Sequence, residues 1–308
     1  MTMHASARML AFANNMKALW TGWEAANFAG TPGAQRRDRR RAVVDKAIQT
    51  VTSFMPTPNV VHVSLDAGVC GSFSWPGWRL RLNREYTSDA DLPYGEFLEF
   101  CVTIYHESRH CEQFFRVAQG LAGGLIAFPD QSISSTIDHH RQTKGLGTVQ
   151  ERMKMFQDAA KKVDEAEKAA KLAPPKGAPA RTAGLQASAD MISKWLDIPS
   201  NVSTQASSNA KALFEAFEAT TKPDWFMRKN IRLEVEEWMR ECYKATLQGV
   251  GNWAQGDDAP FEFYKNQPTE RDAHGIEDSV KELIENAIGV PESTGGNATR
   301  SDGVFAGL

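Results

Sequence analysis

The segment Tyr105-His106-Glu107-Ser108-Arg109-His110 constrains this chain more than any other. It lies in a stretch from about Asp91 to Gln119 where Phe97, Cys101, Ile104, Phe115 and Ala118 recur at helical spacing. Pro93 suits the first turn of that helix. Positions four apart share one face of an α-helix, about 6 Å apart along its axis, so His106 and His110 can turn two imidazoles toward one metal ion. Glu107 is rotated by one residue from His106, which suits its carboxylate to a water on the metal rather than to the metal itself. Zinc lowers the pKa of such a water to roughly 7, and a neighbouring carboxylate then takes the proton as the water attacks a carbonyl. The spacing predicts a helix with one face lining a hydrolytic metal site, with Glu107 as general base.

Two histidines leave a catalytic zinc one protein ligand short. A three-histidine pattern would place the next histidine six residues after His110, but that position is Arg116. A distant carboxylate is therefore expected. The first choice is Glu270, in the first turn of a helix opened by Pro268 and Thr269, with Asp272 and His274 close behind. His274 lies four residues after Glu270 on the same face, placed to orient it or to hydrogen-bond to the site. An acid in a first helical turn also suits the helix dipole with no ligand role. Glu234, Glu236, Glu237 and Glu241 are rivals on a helix whose apolar face is Ile231, Val235, Trp238 and Cys242. Asp138-His139-His140 reads as a solvated polar loop, and His62 as a packed or surface histidine. Tyr105 and Tyr264 are candidates to stabilise the oxyanion formed at the carbonyl, Tyr264 the better placed beside the Glu270 segment. Simple packing is the alternative role for both.

The remaining chain reads as mainly helical. Residues 5–28 form an amphipathic helix with Leu10, Met16, Leu19, Trp20 and Trp23 on its apolar face, and residues 34–54 a second helix opening on the basic run Arg36–Arg41. Such a run is usually a solvated face. Val60–Leu65 and Arg79–Asn83 read as strands, the latter a half-exposed edge able to dock an extended peptide, in a small antiparallel sheet. Helices follow at 149–172, 184–196, 207–220, 227–249 and 268–288, with a proline-rich linker at 173–183. The expected organisation is an N-terminal helical region (1–55), a core carrying the metal helix (56–130), a helical insertion (131–226), C-terminal helices with the third ligand (227–290) and a disordered tail (291–308).

A net charge of −3 gives no global drive toward nucleic acid, and Arg36–Arg41 lacks interleaved aromatics. No apolar run is long enough to span a bilayer or to serve as a Sec signal, so a cytoplasmic location or delivery by a specialised secretion system is expected. The four cysteines, Cys70, Cys101, Cys111 and Cys242, form no CxxC pair; Cys101 and Cys111, on the helix of the metal motif, read as buried thiols, with a Cys111–Cys242 bridge as the alternative.

The run Tyr105–Gln113 (YHESRHCEQ) fits HExxHxxQ and resembles the zincin-like metallopeptidase domains of bacterial polymorphic toxins and contractile-injection effectors. Tyr264–Ala273 (YKNQPTERDA) is similar to the proline-glutamate-aspartate-alanine signature that supplies the third ligand in glutamate-type zincins. The resemblance covers roughly residues 58–120 and 260–290. It implies a zincin-like α+β core, mainly α, with its small sheet against the metal helix. It further implies His106, His110 and Glu270 as zinc ligands, Glu107 as base and Gln113 supporting the ligands from one turn further on. Roughly 160 residues separate His110 from Glu270, a helical insertion where substrate or partner specificity would reside. The expected activity is a zinc metallopeptidase acting on a protein or peptide substrate, in the manner of an effector toxin with an immunity or carrier protein. The alternative is a non-catalytic module in which zinc only staples helices together.

Overall fold

Residues 3, 5–24, 33–66, 68–88, 92–122, 189–196, 198–218, 238 and 268–289 are described by a computed structural model. The chain divides into two compact units, residues 1–112 with 271–307 and residues 113–270 with 308.

The first unit is built on apolar faces at helical spacing. Helix α1 (Ser6–Glu24) buries Met9, Phe12, Ala13, Met16, Leu19 and Trp20, an i, i+3, i+4 stripe. Leu10, expected on that face, stands 48% exposed, because it is turned about 100° from Met9. Helix α2 (Gly33–Val51) buries Val44, Ala47, Ile48 and Val51 and packs on α1. Its basic run is not wholly solvated. Arg40 is buried and donates to the carbonyl of Ser88, and Arg41 Nε reaches Thr87 Oγ1 at 3.4 Å. Two arginines thus fasten α2 to the 3₁₀ turn Arg84–Thr87 and its exit.

Strands β1 (Asn59–Val63), β2 (Gly71–Ser74) and β3 (Arg79–Asn83) make a sheet of order β1-β3-β2. β2 and β3 are antiparallel, with Phe73 opposite Leu80, but β1 runs parallel to β3 with Val61 opposite Arg81. The sheet is mixed, correcting the expected antiparallel one. β3 is its middle strand, so the expected docking edge at Arg79–Asn83 is already paired on both sides. Its alternation of arginine and leucine reports two unlike faces: Leu80 and Leu82 are fully buried while Arg79 is exposed. Trp78 closes the β2–β3 turn at φ 46°, and its indole donates to the Pro56 carbonyl at 2.8 Å.

Helix α3 (Tyr94–Ala122) follows. From Ile104 to Ala122 all its side chains but one are buried, among them the polar or charged His106, Glu107, Arg109, His110, Glu112, Gln113 and Arg116. Its Phe97, Phe100, Cys101, Ile104 and Tyr105 join Leu80, Leu82, Phe12 and Ile284 in one core.

In the second unit, α4 (Ala189–Leu196) and α5 (Ser200–Glu218) pack on each other, and their Ile192, Leu196, Val202 and Ala206 are buried. α5 begins seven residues before the expected Ser207, because Pro199 supplies the carbonyl for Val202 and Ser203 as the helix starts. The expected helix 268–288 is two helices, α6 (Pro268–His274) and α7 (Glu277–Ile288), broken at Gly275–Ile276. α3 and α6 each run through the division between units as one continuous helix. Among the described residues the chain is mainly helical with one small sheet, and no helix there is long and apolar enough to cross a membrane.

Candidate metal site

The site grows from one turn of α3. His106 and His110 stand four residues apart and both are buried. Their Nε2 atoms face each other at 3.0 Å. One ligand atom each from His106, His110 and Glu270, also buried, lies within 4.8 Å of the others. A tetrahedral zinc with bonds of about 2.0–2.1 Å sets its ligand nitrogens roughly 3.3 Å apart. Two imidazoles and a carboxylate at these separations fit such an ion.

Glu107 is buried, and its Oε2 accepts the backbone N–H of Phe73 at 2.6 Å. That amide lies on the outer side of β2, since the Cys70–Asn83 pair fixes which groups turn toward β3. The edge strand near Glu107 is therefore β2. Cys111, one turn on, is a buried thiol pushed well up by burial and then by the Glu107 charge.

The support around the histidines is ionic. His106 Nδ1 pairs with Glu277 Oε1 at 2.8 Å, and His274 Nδ1 meets the same oxygen at 3.0 Å. The His106 and His274 rings are 4.7 Å apart. Burial pushes the Glu277 carboxyl up, but hydrogen bonds from His106 and His274 outweigh it and hold the group down at about 2. Arg109 grips Asp272 with Nε at 2.8 Å and Nη2 at 3.1 Å, and Nη1 pairs with Glu112. Burial draws the Arg109 guanidinium down, yet Glu112 and Asp272 more than restore it and leave it above its ordinary range. Glu112 Oε2 also accepts the Met3 backbone N–H at 2.7 Å.

The sequence-derived candidates separate clearly. His106, His110 and Glu270 come together, with Glu107 on the same turn. Gln113 donates from Nε2 to the Thr269 carbonyl at 2.8 Å, holding the first turn of α6 just before Glu270. His274 reaches His106 through Glu277, at i+3 on its own stretch of chain. Tyr105, the other oxyanion candidate, gives its buried hydroxyl to the Met3 carbonyl at 2.5 Å. His62 pairs with Asp45 at 3.3 Å. Tyr264, Glu234, Glu236, Glu237, Glu241, Asp138, His139, His140 and Cys242 lie outside the described residues, as do the expected helices 149–172 and 227–249, the linker 173–183 and the tail 291–308.

Glu277 escaped the sequence reading, although it falls seven residues after Glu270, two helical turns in a continuous helix. Arg109 escaped too, because a charged residue in the variable part of HExxH carries no pattern of its own. Comparison of the chain with protein-family models, curated proteins and solved structures gave no match.

Proposed function

We propose that this chain is a zinc-dependent metallopeptidase of the glutamate-ligand type. The reading rests on one observation: ligand atoms of His106, His110 and Glu270, from segments far apart in sequence, lie within 4.8 Å of one another. In it His106, His110 and Glu270 hold the metal. Bound zinc polarises a carbonyl and acidifies water. The chain's own residues do the rest. Glu107, steadied by the Phe73 amide, takes the proton from the attacking water. The outward edge of β2 beside Glu107 accepts an extended peptide by strand addition, replacing β3 in that role. The resemblance of YHESRHCEQ to zincin-like effector domains supports a protein substrate, and Tyr264 keeps its proposed part as oxyanion donor. The narrower reading is a delivered effector with an immunity or carrier partner, tested by growth of cells expressing wild type beside Glu107→Gln.

The burial of all three ligand residues favours a second reading, a closed structural zinc that joins helices and does no chemistry. Metal content, measured after saturation and dialysis, tests the site itself. Wild type should retain about one zinc per chain, and His110→Ala and Glu270→Ala should lose most of it. Full retention by Glu270→Ala would remove Glu270 from the ligand set. Hydrolysis of an unfolded protein substrate by the zinc-loaded chain then decides between enzyme and staple.

A further inference from the structure

The proposed site leaves Glu277 and His274 without a role, and their geometry supplies one. An imidazole binds a metal through one nitrogen, and which nitrogen is available depends on the hydrogen bond the other makes. His106 Nε2 faces His110 Nε2 at 3.0 Å, while its Nδ1 lies 2.8 Å from Glu277 Oε1. A carboxylate only accepts, so the proton on His106 must sit at Nδ1 for that bond to form. The lone pair at Nε2 is then directed toward His110.

Glu277 is itself fixed. It stands in the first turn of α7, and His274 Nδ1 donates to the same oxygen at 3.0 Å. The break at Gly275 lets α6 and α7 bring His274 and Glu277 to one point. A Cβ at Gly275 would come within 3.2 Å of the Arg271 carbonyl, a tight approach that glycine avoids.

We infer that Glu277 is a positioning residue that locks His106 in its Nδ1–H tautomer, and that His274 holds the Glu277 carboxylate in place. The inference rests on the metal-site reading but is separable from it. Because one ligand atom each from His106, His274 and Glu277 also lies within 4.8 Å of the others, a second metal at that point is the competing explanation.

The test uses the full chain labelled with ¹⁵N-histidine. In metal-free wild type, His106 should show a protonated Nδ1 and a bare Nε2. Glu277→Ala should lose that preference and weaken zinc affinity by about 10–100-fold. Glu277→Gln retains an acceptor oxygen and should recover most of both, which a merely structural role would not predict. His274→Ala should give an intermediate loss. An unchanged His106 tautomer and wild-type affinity in Glu277→Ala would overturn the proposal. So would two zinc equivalents per wild-type chain with one lost in Glu277→Ala, in favour of a second metal. If wild type binds no zinc, the metal reading fails while the tautomer measurement still decides the role of Glu277. If Glu277→Ala does not fold, the wild-type and Glu277→Gln spectra decide it.

Discussion

Arg109 and Asp272 meet through two parallel contacts, Nε to Oδ2 at 2.8 Å and Nη2 to Oδ1 at 3.1 Å. The pair joins the turn of α3 that carries both histidines to α6, two residues after Glu270. Arg109 also holds the buried Glu112. Removing the guanidinium would strand two carboxylates, and breaking a buried pair in this way costs about 3–5 kcal/mol. Arg109→Leu is therefore expected to lose about that much in denaturant unfolding. Asp272→Asn, which keeps one acceptor, should lose less. Zinc affinity should fall in Asp272→Ala even where the fold persists, because the turn before Asp272 carries Glu270. Asp272→Ala with wild-type zinc affinity would show that the pair serves stability alone.

Glu107 sits beside the histidines without joining them as a third ligand, its Oε2 on the Phe73 amide. A base that moves a proton is separable by mutation from groups that hold a metal. Glu107→Gln should keep zinc at the wild-type level while peptide hydrolysis falls by about 10²–10⁴-fold, the usual worth of a positioned general base. A quenched-peptide assay alongside metal analysis checks both halves. Cleavage at the wild-type rate would remove the mechanism, and loss of zinc would make Glu107 a ligand instead.

The sequence carried the helix and its pair of histidines well, because a period of 3.6 and an i, i+4 spacing are properties of one local segment. It carried Glu270 through Pro268, which marks where a helix starts and hence which acid sits in the first turn. It could not carry what depends on direction in space. The alternation in Arg79–Asn83 reports the two faces of a strand, whereas edge or centre is decided at right angles to those faces. It was silent about which way β1 runs against β3, since strand pairing is non-local. Glu277 lay hidden behind the break at Gly275, and the ion pairs of Arg109 behind the habit of reading charged residues as exposed.

Tyr105 offers a check on what the site does not use. Its hydroxyl donates to the Met3 carbonyl, its ring meets Phe12 edge-on at 5.0 Å, and burial holds its phenol well above the ordinary range. Tyr105→Phe should cost about 0.5–1.5 kcal/mol, the net worth of one hydrogen bond, plus whatever the carbonyl loses by staying buried. Turnover should be unchanged once the protein is folded. A large drop in kcat with stability intact would return Tyr105 to the oxyanion role.

Three thiols make stability fall on the alkaline side. Cys70, Cys101 and Cys111 are buried and free. Burial is the main force raising each, and Cys70 rises from 9.0 to about 11 despite hydrogen bonds from Tyr86 and Thr103 that pull it down. A thiol with a higher pKa in the folded chain than in the unfolded one favours the fold wherever it is protonated in both. That contribution is therefore complete below about pH 9 and disappears as pH rises through about 11. For Cys70 it is on the order of 2 kcal/mol. Unfolding free energy measured from pH 8 to 11 should decline more steeply in wild type than in Cys70→Ala, whatever offset the smaller side chain introduces at pH 8. Parallel curves would mean that Cys70 ionises as readily in the folded chain as in the unfolded one. They would also leave Cys101 and Cys111, with no help from Cys70, to account for any alkaline loss that wild type still shows.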